Sequence, residues 1–333
     1  MKIRAVILCV VVAGIGYGCA SAPPRHSGST TDGVRRVALL GERTFPEGIA
    51  AHANTGDLFV GGVAGGEIQR VGAHGVTTFK KSRADGLINV IGLAVDSARN
   101  RLWVCSTSFD DPSGEAALIV FDTDTGARLA HLALPRDAAP HFLNDVDVDS
   151  TGRAYATDSL APIVWTVPAD LSSIEVFVRN PAFVIDPNGF NLNGLVVTPG
   201  DRYLIASVPS LSDSGRGKLF RIQLSTREVS EVMQDRPFAG ADGLTVLADH
   251  RLVASGAPPG LFRIDFDAEY SAARLEPLDR FADQFAQPTT AAVSDHRLWV
   301  VNSQLDHYVV TVFGDQGPPA LPFEIVGIPL SEL

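Results

Sequence analysis

The sequence predicts an all-β fold, namely a six-bladed β-propeller with four antiparallel strands per blade. The main observation is a unit of an apolar strand, a turn and a second apolar strand, which recurs six times at intervals of 44 to 53 residues. This interval is the length of a four-stranded propeller blade. The segments between the copies, such as 118–134, contain two further strand patterns, and no helical period of comparable length competes with them.

Each copy begins at a lead position, which is followed by Gly or a small residue and then by the short apolar strand. In chain order the six lead residues are Glu47, Ile91, Asn144, Asn193, Asp242 and Thr289. The strand pattern at 33–40 and the C-terminal segment PFEIVGIPL are expected to share one blade and close the ring without an exposed sheet edge. Two β-sandwich domains are the alternative, but they do not explain one register carried through six copies.

The N-terminal residues have the features of an export signal. Lys2 and Arg4 precede the apolar stretch Ala5–Ile15, which is short for a membrane span. We therefore assign residues 1–18 to a signal peptide, 19–32 to a linker and 33–333 to a single propeller domain. The protein is expected to be exported to the bacterial periplasm or envelope.

The segment GYGC before the linker resembles a lipoprotein cleavage site, so we expect a lipid anchor on Cys19. Cleavage near Ala20–Ala22 is the alternative. The membrane would then be a partner only through this anchor. Cys105 lies inside an apolar strand and is expected to pack in the core, because no other cysteine remains in the domain.

The charge of the chain excludes one class of partner. Asp and Glu number 38 against 27 Lys and Arg, which gives a net charge of −11. Nucleic-acid binding needs clustered basic side chains to neutralise phosphates, and the sequence has no basic stripe. We expect a monomer that acts on a small molecule.

The lead positions predict a metal site on the axis of the ring. The first strand of each propeller blade lines the central channel, so lead residues at the same end of six such strands converge. Four of them carry oxygen donors: Glu47, Asn144, Asn193 and Asp242. Carboxylate and amide oxygens are the ligands that Ca²⁺ prefers, whereas Mg²⁺ demands a stricter octahedron and is second choice. The absence of His and Cys from these positions argues against zinc.

A turn is the competing interpretation of two of these motifs. Asn193-Gly194 and Asp242-Gly243 are among the commonest short turn signals. Glu47 and Asn144 weaken this interpretation, because Glu does not favour turns and Asn144 is followed by Asp145. The segment DVDVDSTG at 145–152 resembles the start of an EF-hand loop, but its alternation fits a strand better.

The ordered motifs PEG (46–48), LND (143–145), LNG (192–194) and ADG (241–243) resemble those of the calcium-dependent six-bladed propeller hydrolases. This superfamily includes gluconolactonase/regucalcin-like proteins, diisopropyl fluorophosphatase and paraoxonases. The resemblance covers the whole domain after the linker. It implies a catalytic calcium held by the four oxygen-bearing lead residues, with Asp242 as nucleophile or general base. Ile91 departs from the gluconolactonase branch, which tends to have a polar residue there, so the resemblance does not settle the substrate.

The resemblance therefore predicts a calcium-dependent hydrolase of lactones or related esters or phosphotriesters. A non-catalytic propeller that uses calcium for stability and binds a ligand or protein on its upper face is the alternative. The substrate pocket is expected at the channel mouth, where the second strand of each blade ends. Its candidate residues are Ile91, Phe109, His141, Asp158, Thr289 and Gln304.

Overall fold

The computed structural model describes residues 33–108, 114–136, 140–187, 189–210, 216–256, 260–309 and 315–333. Within these residues 25 strands form six sheets, and each sheet is one blade of a β-propeller. The predicted fold is thus confirmed, including four antiparallel strands per blade. The predicted signal peptide and linker lie outside the described residues.

The strands of the first three blades follow one another in chain order from the channel outward. They are β2 (Pro46–Ala51), β3 (Leu58–Gly62), β4 (Ile68–Gly72) and β5 (Gly75–Lys80) in blade 1; β6 (Asn89–Asp96), β7 (Arg101–Thr107), β8 (Ala116–Asp122) and β9 (Arg128–Ala133) in blade 2; and β10 (Leu143–Val148), β11 (Ala154–Asp158), β12 (Ile163–Val167) and β13 (Glu175–Arg179) in blade 3.

The last three blades keep this order, with one added strand in blade 5 and one N-terminal strand in blade 6. They contain β14 (Leu195–Val197), β15 (Tyr203–Val208), β16 (Lys218–Gln223) and β17 (Val229–Glu231) in blade 4; β19 (Gly243–Ala248), β20 (Arg251–Ser255), β21 (Leu261–Phe266), β22 (Ala272–Pro277) and the parallel edge strand β18 (Met233–Gln234) in blade 5; and β23 (Pro288–Ser294), β24 (Arg297–Asn302), β25 (Glu324–Pro329) and β1 (Arg35–Ala38) in blade 6.

The first strands of the six blades form the wall of the central channel. Contacts join β2 to β6, β6 to β10, β10 to β14, β14 to β19, β19 to β23 and β23 back to β2. All six strands enter the channel from the same end, which we call the mouth. The alternating direction of neighbouring strands brings the end of each second strand back to this mouth.

The two ends of the described chain close the ring in blade 6, as the sequence predicted. Strand β1 pairs antiparallel with β25, from Arg35 opposite Gly327 to Ala38 opposite Glu324. The ladder continues with a backbone bond of 2.8 Å from Leu39 N to Phe323 O. The sheet edge of the last blade is therefore covered by the chain's own N-terminal strand.

The core fills the wedges between adjacent blades. Cys105 is fully buried there and packs with Trp103 and other apolar side chains, which confirms its predicted core position. Short 3₁₀ helices, among the residues described, occupy connections at Ala84–Gly86, Pro181–Phe183, Asp279–Gln284, Leu305–His307 and Leu330–Glu332. None of the helices in the described ranges combines the length and hydrophobicity that crossing a membrane requires.

Candidate metal centre at the channel mouth

The six lead residues lie in the same local structure in all six blades, a two-residue β-bulge at the start of the inner strand. In blade 1 Pro46 pairs with Gly62 and Ile49 with Val60, so Glu47 and its successor oppose the single residue Gly61. The other five bulges oppose, in order, Cys105, Thr157, Ser207, Ser255 and Val301. A bulge turns a side chain away from the regular alternation of a strand. It thus takes each lead residue out of the regular alternation of its inner strand.

The bulge also decides between the two interpretations of the Asn-Gly and Asp-Gly motifs. The Asn193 N–H donates to Ser207 O at 2.9 Å, and the Asp242 N–H donates to Ser255 O at 2.8 Å. Neither Gly194 nor Gly243 has the positive φ angle that a tight hairpin turn of this type needs. Both motifs are therefore parts of inner strands, and the turn interpretation is wrong for them.

Adjacent bulges touch closely around the ring. A Cβ atom added to the residue after the lead position would lie within 3 Å of the next blade's backbone. These distances are 2.1 Å from Gly48 to Ile91 O, 2.4 Å from Gly92 to Asn144 O, 2.7 Å from Gly194 to Asp242 O and 2.9 Å from Gly243 to Thr289 O.

Hydroxyl groups complete the two remaining contacts of the ring. Thr157 Oγ1 donates to Asn193 O at 2.8 Å. Thr289 Oγ1 donates to Glu47 O at 2.8 Å, and Thr290 donates to the same oxygen. The six lead positions thus form one closed ring, in the order that the repeat predicted.

Carboxyl groups from blades 1, 3 and 5 lie close enough at this ring to shift one another's pKa. Burial raises the pKa of Glu47 well above its usual range, and the charges of Asp242 and Asp145 raise it further. Burial also raises the pKa of Asp242 to about 7, although a side-chain hydrogen bond from Asn193 lowers it. Among the described residues, no Lys or Arg contributes to the pKa shift of Glu47 or Asp242. The charge of such a cluster is neutralised either by protonation or by a bound cation.

Two oxygen atoms of the ring are buried without a hydrogen-bond partner among the described residues. They are Glu47 Oε2 and Asn193 Oδ1. Buried polar atoms are nearly always paired, because an unpaired one loses its hydration without compensation. Both atoms are hard oxygen donors, so their pairing requirement fits a divalent cation such as Ca²⁺.

Hydrogen bonds fix the orientation of the two amide side chains. Asn144 donates from Nδ2 to Ser159 Oγ at 3.0 Å. Asn193 donates its amide N–H to the Asp242 carboxylate, which leaves the Oδ1 atom on the other arm of the amide. In each residue the N–H arm is bound to protein, and the carbonyl arm is the one that can bind a cation.

Asp145 is a third carboxyl group of the site, and sequence reasoning did not assign it a role there. Its Oδ2 accepts the Leu195 N–H at 2.9 Å, and its Oδ1 accepts the Val146 N–H at 2.9 Å. Burial nevertheless raises the pKa of Asp145 to about 8. Four of the other five copies have Gly at this second bulge position, which is the sequence signal that sets Asp145 apart.

His141 and Asp158, two of the predicted pocket residues, contact each other. His141 Nδ1 lies 2.6 Å from Asp158 Oδ2, which also accepts the Trp165 indole N–H at 3.1 Å. Asp158 Oδ1 accepts the backbone N–H of Phe142 at 3.0 Å. Asp158 is completely buried. Its side chain thus holds the segment that leads into Asn144.

The other predicted pocket residues occupy different surroundings. Ile91 is 1 % exposed on the apolar side of the ring, and the Thr289 hydroxyl is bound to Glu47 O. Gln304 uses both ends of its amide on Ala320, through Nε2 to Ala320 O at 2.9 Å and Oε1 from Ala320 N at 2.7 Å. Phe109 lies outside the described residues.

The composition of the ring differs from that of a zinc or redox-metal centre. Over the described ranges, no group of three or more His, Cys, Asp or Glu side chains is placed to hold a metal ion. The predicted ligand set contains only two carboxylates, because its other two donors are amide oxygens, so it does not depend on such a group. Asn193 and Asp242 are partly exposed, whereas Glu47 and Asn144 are buried. The ring therefore opens to solvent on the side of blades 4 and 5.

The fold and the ring together define a six-bladed β-propeller with carboxylate and amide groups at the mouth of its channel. No model of a known protein family matches the sequence, and the curated proteins contain no significant match. Solved structures do match. The allergen Mala s 1 of Malassezia sympodialis superposes with a TM-score of 0.63 at 15% identity, over 88% of this chain and 94% of that one.

Two enzymes are also among the similar structures. A gluconolactonase from Xanthomonas campestris has a TM-score of 0.58 at 17% identity, over 89% of this chain and 90% of that chain. Virginiamycin B lyase from Staphylococcus aureus has a TM-score of 0.52 at 14% identity, over 89% and 98% of the two chains. Because the sequence identities are this low, the matches show a common fold and nothing beyond it.

Proposed function

We propose that the channel mouth binds Ca²⁺ and that the protein is a hydrolase of lactones or related esters or phosphotriesters. The observation that carries this proposal is the pair of buried oxygens without a hydrogen-bond partner, Glu47 Oε2 and Asn193 Oδ1, beside the raised pKa of Asp242. The ligands would be Glu47, Asn144, Asn193 and Asp242. Mg²⁺ is second choice, because the bulges hold these side chains on four separate blades and a larger, more flexible coordination sphere suits them better.

A bound Ca²⁺ supplies a Lewis acid that polarises the carbonyl or phosphoryl oxygen of a substrate. Asp242 performs the second task, as nucleophile or as general base for water. In the second role its carboxylate accepts a proton from the attacking water and returns it to the leaving oxygen as the ester C–O bond breaks, so that a lactone yields a hydroxy acid. Asn193 assists, because its N–H donates to the Asp242 carboxylate and holds it on the partly exposed side of the ring.

Among the similar structures, the gluconolactonase supports the lactone hydrolase, whereas the virginiamycin B lyase has the same fold and a different reaction class. The fold alone therefore selects no substrate. Asp158 and Gln304 use their polar groups inside the protein. We therefore place the determinants of specificity at His141 and in the loops around the mouth.

A second function has one observation in its favour. Glu47 is 4 % exposed and Asn144 is 7 % exposed, so half of the ligand set is sealed inside the ring. A cation at such a site could serve as a structural plug, with ligand or protein binding on the upper face. Both functions include the metal, but only the hydrolase requires Asp242 for turnover.

The decisive experiment assays lactones, aryl esters and phosphotriesters with calcium and with a chelator. We expect chelation to abolish turnover and Asp242→Asn to lower kcat by about 100-fold or more, as expected for loss of a general base or nucleophile. The assay uses saturating calcium, so that a change in affinity does not mimic a change in chemistry. Asp267→Asn is the matched control, because Asp267 is exposed on a turn of the same blade.

Turnover that persists in chelator, or that Asp242→Asn leaves intact, would contradict the hydrolase mechanism. Calcium binding without turnover on any substrate of the panel would favour the structural plug. Absence of calcium binding in the unaltered protein would overturn both proposals.

A further inference from the structure

The junction between blades 3 and 4 is made by a row of side-chain bonds to one stretch of backbone. The side chains belong to blade 3, and the backbone groups that they bond belong to residues 192–197 of blade 4. In order along blade 4 they are Ser159 Oγ to Leu192 O at 2.5 Å, Thr157 Oγ1 to Asn193 O at 2.8 Å, Leu195 N to Asp145 Oδ2 at 2.9 Å and Val197 N to Asp147 Oδ2 at 2.7 Å.

Ser159 differs from the other members of this row in its second contact. Its Oγ also accepts the Asn144 side-chain N–H at 3.0 Å. One buried hydroxyl therefore bonds a proposed ligand of blade 3 and the backbone directly before Asn193, a proposed ligand of blade 4. Ser159 itself is 0 % exposed.

The hydrogen-bond directions give this contact a consequence for metal binding. The Ser159 hydroxyl donates its proton to Leu192 O. Its oxygen can therefore only accept a hydrogen bond from Asn144, which requires the N–H arm of the amide to face Ser159. The carbonyl arm of Asn144 then points to the other side. An amide rotated by half a turn would present N–H groups, which cannot bind a cation.

We infer that Ser159 is a positioning residue for the metal centre, which sets the amide orientation of Asn144 and its spacing from Asn193. This inference rests on the proposed calcium site. Partners behind metal ligands commonly change metal affinity 10–100-fold when they are removed, because the ligand then loses its orientation. A residue that served only the fold would change stability and leave the affinity unaltered.

The test measures Ca²⁺ binding to chelator-stripped protein by titration calorimetry, together with the melting temperature of the metal-free protein. We expect Ser159→Ala to weaken binding about 10-fold or more. Ser159→Thr keeps the hydroxyl and is expected to bind more tightly than Ser159→Ala. Should Ser159→Ala fail to fold, Ser159→Cys replaces it, since a thiol fills the site but bonds weakly.

Ser255→Ala is the matched control. Ser255 occupies the bulge position opposite Asp242, is 1 % exposed and donates from Oγ to Thr289 O of the next blade at 2.7 Å. Its hydroxyl contacts the backbone carbonyls of Gly243 and Thr289. Loss of Ser255 should therefore reduce the melting temperature and leave the Ca²⁺ affinity within about 2-fold, well below the loss expected behind a ligand.

Three results separate the possible failures. Equal Ca²⁺ affinity in the unaltered protein and Ser159→Ala would overturn the positioning role while the calcium site stands. Equal losses in Ser159→Ala and Ser255→Ala would also overturn it, because any loosened blade junction would then suffice. Failure of the unaltered protein to bind Ca²⁺ would overturn the proposed function itself.

Discussion

The junction of blades 1 and 2 and the junction of blades 3 and 4 hold the same ring together by different means. At the first, Gly48 and Gly61 lie against Ile91 and Val90, so close that a Cβ on either glycine would clash. At the second, hydroxyls and carboxylates of blade 3 bond the backbone of blade 4.

This difference suggests that the first junction contributes mainly to stability and the second also to the placement of side chains at the proposed site. Close apolar packing at blades 1 and 2 needs no partner beyond the protein. Hydrogen bonds at blades 3 and 4 fix directions as well as distances, and the two amide groups of the proposed site lie there. The following substitutions challenge that division, in order of decreasing effect.

Gly48→Ala should have the largest effect. The new methyl group would lie 2.1 Å from the Ile91 carbonyl oxygen, so one blade must move. We expect a loss of about 3 kcal/mol in the free energy of unfolding, as for severe overpacking. Urea denaturation measures it. Gly200→Ala is the control, because its site is open and only the φ of +82° costs energy, about 1 kcal/mol. Equal losses would show that the first junction is not tightly packed.

Thr157→Val tests the second junction with a side chain of the same shape. The Asp145 N–H, 3.0 Å from Thr157 Oγ1, and the Asn193 carbonyl would both lose their partner. We expect a loss of about 2 kcal/mol, because buried polar groups are left unpaired. Calorimetric titration should also show weaker Ca²⁺ binding.

Thr166→Val is the corresponding control within blade 3. Thr166 is buried and donates to Ala154 O at 2.9 Å, but it lies on the third strand, away from the junction. It should cost about 1 kcal/mol and leave Ca²⁺ binding unchanged. A change in affinity equal to that of Thr157→Val would remove the distinction between junction and strand.

The smallest effect concerns Asp147 and pH. Burial raises the pKa of Asp147 to about 6, although the Val197 and Val148 N–H groups donate to its carboxylate and lower it. Between about pH 4 and 6 the folded protein therefore binds more protons at this site than the unfolded chain, so its stability falls as pH rises through that window. Asp147→Asn should remove about 1 kcal/mol of this decline, since part of the group is exposed. Unfolding curves measured from pH 4 to 7 check it, and parallel profiles would contradict it.

The repeat in the sequence was sufficient to predict the fold and the ring. One register carried through six copies assigns Glu47, Asn144, Asn193 and Asp242 to the same end of the inner strands of blades 1, 3, 4 and 5, and the structure has them there. The closing pair of terminal strands was equally predictable, because their pairing leaves no exposed sheet edge in the ring.

The β-bulges and the hydrogen bonds that orient the lead residues could not be predicted from the repeat. A bulge is defined by the register with the neighbouring strand, and Asn193-Gly194 looks like a turn until Ser207 is seen to pair with both. Asp145 was read as part of a strand pattern, whereas its carboxylate reaches another blade 50 residues away in sequence. Gln304 was placed at the pocket, but its amide is bound to Ala320, 16 residues further along the chain, which the strand pattern does not reveal.

The closure of blade 6 makes the starting point of the chain arbitrary for the architecture. Gly33 lies against Pro329, so a short linker could join the two ends of the domain. A new opening at the turn 122–126, between β8 and β9, would leave β9 as an N-terminal outer strand and β8 as the C-terminal strand beside it. Blade 2 would then close the ring in the way that blade 6 does now, with every strand pairing kept. Such a circular permutant carries the channel mouth unchanged, because no inner strand is cut.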